Sequence, residues 1–226
     1  PMPAGRTNIW WLRKTQREGV NDGMDIPTGE LRELSLFSGY GGYSLALRLA
    51  GFNIRTVCYV EHDRYAQLVL QQRFKDEPPT LDPAPIWDDI NSFDPEPWRG
   101  YVDIVSAGFP CQPHSQAGAR RIAKGLHDDR DLWPQTRECL RVVRPRYAVL
   151  ENVPGILFSG NGGRQPYGVQ VLGELSALGF SQIEWGIYSA SDAGASHLRR
   201  RWFVLAHADA DPQEREGVIE GMGGTT

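Results

Sequence analysis

The chain has 226 residues, 40% of them hydrophobic, and a formal net charge of −4. This length is enough to bury one main core, so one domain with a short addition is expected. The negative charge argues against a protein that holds nucleic acid by bulk electrostatics, because phosphate binding needs local lysine and arginine. Local arginine clusters do occur, at 120–121, 141–146 and 199–201. Each of them taken alone is typical of a solvated face.

The three cysteines, Cys58, Cys111 and Cys139, are too few and too scattered for a disulfide framework or a zinc site. We therefore expect a reducing compartment and no metal. No apolar run approaches the length of a membrane span, and no charged-then-apolar leader opens the chain. These features predict a cytoplasmic protein without a membrane partner.

The first part of the chain is predicted to alternate strands with helices. Residues 1–30 show no sustained period and are expected to form a loosely ordered N-terminal extension. From residue 31 the apolar spacing becomes that of strands and amphipathic helices. The predicted elements are a strand at 31–37, a glycine turn at 38–42, a helix at 43–50, a strand at 54–60 and a helix at 63–74.

The glycine turn is the first candidate ligand site. Glycines let the backbone approach a ligand, and the first turn of the following helix offers unpaired N–H groups. A nicotinamide-binding turn has a third glycine or alanine where this chain has Ser44, so the turn is more typical of an adenosyl ligand without a pyrophosphate. Glu61, at the end of the second strand, is placed to hold ribose hydroxyls. Asp89 is a candidate for the adenine amino group, with Ile90 packed on the ring; a turn aspartate is the alternative.

The stretch after residue 100 carries the main candidate for chemistry. A buried-strand pattern at 101–107 leads into Gly108 and the turn Pro110-Cys111-Gln112-Pro113. Open α/β sheets bind their ligands at the carboxyl ends of strands, and the two prolines restrict the loop that carries the thiol. Cys111 is therefore predicted to be a nucleophile. A small buried hydrophobic residue is the alternative.

The second half continues the pattern of strands and helices. A polar segment at 118–132 is predicted to be mobile and able to close over a substrate. The last two predicted strands alternate and would form a terminal antiparallel hairpin. After His207 the apolar period is lost, and 208–226 are expected to form a disordered or truncated tail. The predicted elements after the mobile segment are a helix at 132–143, a strand at 147–150, a glycine-rich loop at 158–168, a helix at 169–178 and strands at 181–188 and 201–206.

Glu151 follows the strand at 147–150 and precedes a proline turn. A carboxylate in this place is a candidate acid, and a solvated loop glutamate is the alternative. The carboxyl ends of parallel strands share one edge of a sheet. We therefore expect Glu61, Cys111 and Glu151 to lie on that edge, together with Arg199 and Arg201 from the last loop.

These residues resemble the motifs of the DNA (cytosine-5)-methyltransferases. The order and spacing of the motifs agree from Leu34 to Ala206. Any one short motif is weakly specific, whereas the ordered set is highly specific. The matching segments are Phe37-Ser-Gly-Tyr-Gly-Gly42, Glu61 and Asp89 for the cofactor, Pro110-Cys111-Gln112 for catalysis, and Asp129-Arg-Asp-Leu132, Glu151-Asn-Val153 and Arg199-Arg-Arg201 beyond it.

The resemblance implies an α/β fold, a Rossmann-like S-adenosylmethionine-dependent methyltransferase sheet that is mostly parallel with a terminal antiparallel hairpin. It implies methyl transfer from S-adenosyl-L-methionine to C5 of cytosine in double-stranded DNA, with the target base flipped out of the duplex. Cys111 would add to C6, Glu151 would assist at N3, and Arg199 and Arg201 would stabilise the anion and the thiolate. The implied cofactor-binding residues are Phe37, Ser38, Gly39, Gly41, Gly42, Glu61, His62, Asp89, Ile90, Pro110 and Leu132. The implied substrate-binding residues are Gln112, Ser115 and Asn152.

The chain departs from the family pattern in three places. His197 stands where the arginine motif usually begins with Gln, and Ser35 replaces the aspartate often found in the first motif. No target-recognition region follows Ala206, so we expect a catalytic domain at 31–207 with an incomplete DNA-reading surface.

Two other functions stay open at this point. One is a tRNA cytosine-5 methyltransferase that uses the same groups, and the other is a truncated, non-catalytic remnant that binds cofactor or a partner chain. A bacterial or phage-encoded enzyme of a restriction-modification system would have a restriction endonuclease as its partner.

Overall fold

The computed structural model describes residues 29–110, 131–159 and 165–208, and within them seven strands form one sheet. The strands are β1 (Leu31–Leu36), β2 (Ile54–Val60), β3 (Ile86–Trp87), β4 (Ile104–Ala107), β5 (Tyr147–Asn152), β6 (Phe180–Tyr188) and β7 (Arg201–Ala208). The helices are α1 (Gly42–Leu49), α2 (Arg64–Arg73), α3 (Trp133–Val143) and α4 (Tyr167–Ala177). The predicted extension at 1–30, the tail at 208–226 and the mobile segment at 118–132 lie almost wholly outside the described residues.

The sheet has the strand order β3-β2-β1-β4-β5-β7-β6. Strands β1 to β5 pair in parallel, whereas β7 runs antiparallel to both β5 and β6. This arrangement confirms the predicted fold class, a mostly parallel sheet with an antiparallel hairpin. Because β7 runs in the opposite direction, its first residue, Arg201, lies at the edge where the parallel strands end. No helix in the described ranges is long and apolar enough to cross a membrane.

Hydrophobic side chains fill both faces of the sheet. The larger cluster includes Leu34, Val105 and Leu150 from three neighbouring strands, together with Trp133 and Trp202. A smaller cluster includes Leu31 and Tyr147 from β1 and β5, together with Leu47 from α1. Strands buried on both faces are typical of parallel sheets with helices on each side. The core thereby fixes the strand ends that carry the candidate site.

Two predicted element starts are wrong by two residues or more. Strand β4 begins at Ile104 rather than at Tyr101, because the N–H groups of Tyr101 and Val102 both bond to the carbonyl oxygen of Trp98 in a turn. Helix α4 begins at Tyr167, two residues before the predicted start. The N–H group of Val169 bonds to the carbonyl oxygen of Pro166, so a helical turn replaces the end of the predicted loop.

A completely buried carboxyl group, that of Glu33, lies in the middle of the sheet. Its oxygens accept hydrogen bonds from the hydroxyl groups of Thr56 at 2.7 Å and Ser106 at 2.6 Å, on the two strands that flank β1. Burial raises the pKa of Glu33 above its ordinary value of 4.5, and the hydrogen bonds and the Arg48 guanidinium offset this only in part. Glu33 therefore links three strands and favours its protonated form.

We expect Glu33→Gln to change how stability depends on pH. Since the pKa of Glu33 is raised in the folded state, its stabilising contribution is complete below about pH 4.5 and is lost as the pH rises through the folded-state pKa. The free energy of unfolding of the wild type should fall in that window by up to about 1.4 kcal/mol per pH unit. Glutamine cannot ionise, so the variant should lack this slope. Urea unfolding between about pH 4.5 and 8 measures the difference.

Glu138→Gln is the matched control. Glu138 is exposed on α3, and hydrogen bonds from Arg141 lower its pKa, so its contribution changes only below pH 4.5. An identical slope in Glu33→Gln and the wild type would contradict the interpretation.

Candidate active site

The first two residues of the predicted acid motif, Glu151 and Asn152, are the last two residues of β5. The sequence prediction placed them after the strand. Glu151 pairs with Phe203 and Asn152 pairs with Trp202, so β7 supplies the hydrogen-bonding partner that continues the strand. The sequence prediction ended this strand at Leu150, because the polar residues break the apolar pattern. As a result, Glu151 is held by strand pairing with β7 instead of by a loop.

The glycine turn between β1 and α1 has the backbone that a close ligand contact needs. Gly39 has φ +53° and Gly41 has φ +74°, in the left-handed region that favours glycine. A Cβ at Gly41 would lie 2.2 Å from Leu81 Cδ1, whereas one at Gly39 or Gly42 would meet no atom within 4 Å. The backbone at Gly39 and Gly42 therefore faces open space. Phe37, immediately before the turn, also has positive φ, +51°.

Glu61 joins this turn to the next helix. Its Oε2 accepts a hydrogen bond from the Gly39 N–H at 2.6 Å, and its Oε1 accepts one from the Asp63 N–H at 2.7 Å. Ser38 fixes the other side of the turn, because its hydroxyl donates to the carbonyl oxygen of Ser35 at 2.8 Å. The structure thus places Glu61, the residue predicted to bind the ribose hydroxyls, directly against the predicted glycine turn.

The end of β3 lies beside the end of β2. The Glu61 N–H bonds to the Trp87 carbonyl oxygen at 2.9 Å, and His62 Nδ1 lies 3.0 Å from the Asp88 carbonyl oxygen. Asp89 Oδ1 accepts hydrogen bonds from the Asn91 backbone and side-chain amides, both at 2.9 Å, and these bonds lower the pKa of Asp89. Asp89 therefore acts as a turn aspartate, which was the alternative interpretation of this residue. One oxygen, Oδ1, accepts both hydrogen bonds. Contact with adenine stays a prediction for Asp89 and for its half-buried neighbour Ile90.

Phe109 and Pro110, the two residues before Cys111, each accept a hydrogen bond from another segment of the chain. Asn152 Nδ2 donates to the Phe109 carbonyl oxygen at 2.9 Å, and the Leu132 N–H points to the Pro110 carbonyl oxygen at 3.5 Å. Asn152 is buried, and its Oδ1 accepts a hydrogen bond from the Val153 N–H at 2.8 Å. The structure thus gives Asn152 a role in holding the end of β4, and its contact with substrate stays a prediction.

Cys111, Gln112 and Ser115 lie outside the described residues. The other two cysteines, Cys58 and Cys139, are free and buried, and burial raises the pKa of each thiol to about 12. Thiols of this kind are inert at neutral pH. Cys111 is therefore the remaining candidate nucleophile among the three cysteines.

Glu151 forms an ion pair at the same edge of the sheet. Its Oε1 lies 2.6 Å from Arg201 Nε, and about a fifth of each side chain is exposed. Its Oε2 lies next to Gly108, because a Cβ built on that glycine would be 3.4 Å away. Gly108 is three residues before Cys111. The predicted acid, one predicted arginine and the approach to the predicted nucleophile thus meet in one place.

Arg199 and His197 are exposed in the connection between β6 and β7. Arg199 has φ +28°, a conformation that a non-glycine residue rarely adopts. Of the two predicted arginines, Arg201 is the one with an ion pair to Glu151.

Tyr43 is a site residue that the sequence did not reveal. It is the second residue of α1, and its hydroxyl oxygen faces the same glycine as the Glu151 carboxylate: a Cβ on Gly108 would lie 3.2 Å from Tyr43 Oη and 3.4 Å from Glu151 Oε2. Burial, together with the nearby carboxylate, raises the pKa of Tyr43 well above its ordinary value of 10, so the phenol keeps its proton. No spacing rule connects these two residues in the sequence. The one available signal was a tyrosine directly after the glycine pair.

Within the described part of the chain, no cluster of three or more histidine, cysteine, aspartate or glutamate side chains is arranged to hold a metal ion.

The strand order and the groups at the strand ends define a Rossmann-like protein of the methyltransferase class. The same fold occurs in the methyltransferase EhMeth of Entamoeba histolytica, with a TM-score of 0.62 at 17% identity over 82% of this chain and 55% of that one. It also occurs in a mutant of Spodoptera frugiperda DNMT2, with a TM-score of 0.61 at 19% identity over 80% of this chain and 51% of that one.

Residues 31–220 match the family model of the C-5 cytosine-specific DNA methylases, and the chain belongs to that family. It is 33% identical over 189 residues to the type II methyltransferase M2.BsuMI of Bacillus subtilis, covering 81% of this chain and 44% of that protein. It is 34% identical over 177 residues to the type II methyltransferase M.NaeI of Lentzea aerocolonigenes, covering 78% and 40%. The chain thus spans less than half the length of these relatives.

Proposed function

We propose that this protein transfers a methyl group from S-adenosylmethionine to C5 of cytosine in DNA through a covalent adduct between Cys111 and C6. One observation carries the proposal: the Glu151–Arg201 ion pair lies beside Gly108, at the strand end that leads into Cys111. Membership of the cytosine-specific family and relatives that are named type II methyltransferases support it.

The residue types match the demands of the reaction. C5 of cytosine is a poor nucleophile, so electrons must first enter the ring through addition of a thiolate to C6. Glu151 donates a proton at N3, which neutralises the charge that the addition creates. The C5 carbon then takes the methyl group. The C5 proton passes to water, the N3 proton returns to Glu151, and the bond between the Cys111 sulfur and C6 breaks, which restores the aromatic ring, the acid and the thiolate.

The arginines have separate tasks in this scheme. Arg201 holds Glu151 through its ion pair. Arg199 is exposed in the adjacent connection, and a cation there favours both the Cys111 thiolate and the anionic ring. Because these groups cannot reach C6 inside a duplex, the target base must be flipped out, which costs about a few kcal/mol.

The glycine turn and the end of β2 would hold the cofactor. The open space beside Gly39 and Gly42 admits a ligand to the backbone, and Glu61 offers a carboxylate for ribose hydroxyls at the same place. Phe37, His62, Asp89 and Ile90 would surround the adenine, and Pro110 and Leu132 would complete the pocket. When bound, S-adenosylmethionine supplies the activated methyl group.

We expect Glu61→Gln to weaken S-adenosylmethionine binding. A charge-assisted hydrogen bond contributes about 1.5–3 kcal/mol, so the dissociation constant should rise about 10- to 100-fold. Isothermal titration calorimetry measures this directly. Glu138→Gln, on the exposed face of α3, should bind cofactor like the wild type. An unchanged affinity in Glu61→Gln with normal folding would remove Glu61 from the cofactor site.

Transfer of labelled methyl from S-adenosylmethionine tests the proposed function. Double-stranded DNA and tRNA are compared as substrates, with a Cys111→Ala variant as control. Label in DNA that depends on Cys111 supports the proposal. Label in tRNA alone would assign the same chemistry to RNA, and intact cofactor binding without transfer would indicate a non-catalytic remnant.

Two partner assignments accompany the proposal. The DNA partner is a duplex whose target cytosine enters the site after flipping. Because the relatives are named type II methyltransferases, a restriction endonuclease of the same specificity is the expected partner in the cell.

A further inference from the structure

We propose that Tyr43 is a positioning residue for Glu151: its hydroxyl holds the carboxylate in the direction that the reaction at N3 requires. This inference deepens the proposed function and rests on it.

Three residues surround the Glu151 carboxylate: Tyr43, Gly108 and Arg201. The Glu151 carboxylate raises the pKa of Tyr43, both as a neighbouring charge and as a hydrogen-bond partner of its hydroxyl. A Cβ on Gly108 would lie 3.2 Å from Tyr43 Oη and 3.4 Å from Glu151 Oε2, so both atoms face the same glycine. Arg201 Nε lies 2.6 Å from the other oxygen, Oε1. The carboxylate is therefore held between a phenol and a guanidinium group.

The charges around the carboxylate explain why this position favours tyrosine over phenylalanine. Tyr43 from α1 and Arg201 from β7 face it, Gly108 directly after β4 adds no side chain, and the charge of Arg199, in the connection before β7, acts on Tyr43. The phenol stays protonated, because burial and the neighbouring carboxylate raise the pKa of Tyr43. It therefore acts as a donor throughout the neutral range. Phenylalanine would fill the same space without offering a donor to Oε2.

The positioning has a mechanistic consequence. A carboxylate held by Arg201 alone can rotate about its terminal bond, whereas two partners on opposite oxygens fix the plane of the group. Small misplacements of a reacting group cost about 10²-fold in rate. Tyr43 also lies on the helix that begins at the glycine turn, so it links the cofactor-binding turn to the acid at the end of β5.

The test is a double-mutant cycle with Tyr43→Phe, Glu151→Gln and the combined variant, measured in single-turnover methyl transfer to DNA. We expect Tyr43→Phe to lower the transfer rate about 10- to 100-fold while the dissociation constant for S-adenosylmethionine stays within about twofold. The combined variant should be no slower than Glu151→Gln, because the hydroxyl acts through that carboxylate.

Tyr59→Phe is the matched control. Tyr59 is completely buried and its hydroxyl donates to the Asp82 carbonyl oxygen at 3.2 Å, so the variant also removes a hydrogen-bonded phenol oxygen. It should leave the transfer rate unchanged. Equal rate losses in the two variants, or additive effects in the cycle, would overturn the proposal.

The same cycle measured by urea unfolding separates this inference from the proposed function. If the wild type transfers no methyl group to DNA or tRNA, the proposed function fails, and the unfolding cycle decides on Tyr43. Coupling between Tyr43→Phe and Glu151→Gln then supports the contact that positions the carboxylate. Additive losses of stability overturn it.

Discussion

Replacing Cys111 by alanine should abolish methyl transfer to cytosine and leave S-adenosylmethionine binding within about twofold of the wild type. The reason is that the remaining groups act only on an adduct: Glu151 neutralises charge that appears after a nucleophile has added to C6. The methyl side chain of alanine cannot add, so C5 stays unreactive. Single-turnover transfer to DNA measures the loss, and calorimetry measures the retained cofactor binding.

The control for this experiment is Cys58→Ala. Cys58 is buried in β2, with a pKa raised to about 12, so its thiol takes no part in the reaction. DNA that contains 5-fluorocytosine sharpens the test, because fluorine at C5 blocks the final elimination and should leave a denaturation-resistant adduct. The adduct should form with the wild type and with Cys58→Ala. Its appearance with Cys111→Ala would refute the assignment of the nucleophile.

Glu151→Gln should lower the transfer rate about 10²- to 10⁴-fold, the usual contribution of a positioned general acid. Glutamine has nearly the same shape, but its amide cannot release a proton to N3. It also leaves the Arg201 guanidinium without its counter-charge, and only about a quarter of the Arg201 side chain is exposed to water. Both losses act on the reaction, while the open space beside the glycine turn is unaffected.

Single-turnover rates across the neutral pH range check this prediction. The variant should be slower at every pH. Glu184→Gln, an exposed position on β6, serves as the control and should transfer at the rate of the wild type. A Glu151→Gln enzyme within about threefold of the wild type would exclude Glu151 as the general acid.

Much of the fold followed from local patterns. The glycine turn, the apolar strands and the amphipathic helices have short-range signals, and these placed β1, β2, α2 and the hairpin within about two residues. Boundary errors arose at local turns before β4 and α4, and at the end of β5, where a partner distant in the sequence decides the boundary. Asn152 continues β5 only because β7 pairs with it.

The sequence by itself determined the order of the elements, the family, and the identity of the groups that would do the chemistry, because each of these depends on residues close together in the chain. Tertiary structure alone decided which groups meet. It placed Glu151 against Arg201, and it brought Tyr43 and Gly108 to the same carboxylate. It also buried Glu33 between two hydroxyl groups of neighbouring strands. These contacts depend on the order in which strands assemble into the sheet, and that order joins residues which no periodic pattern in the sequence connects.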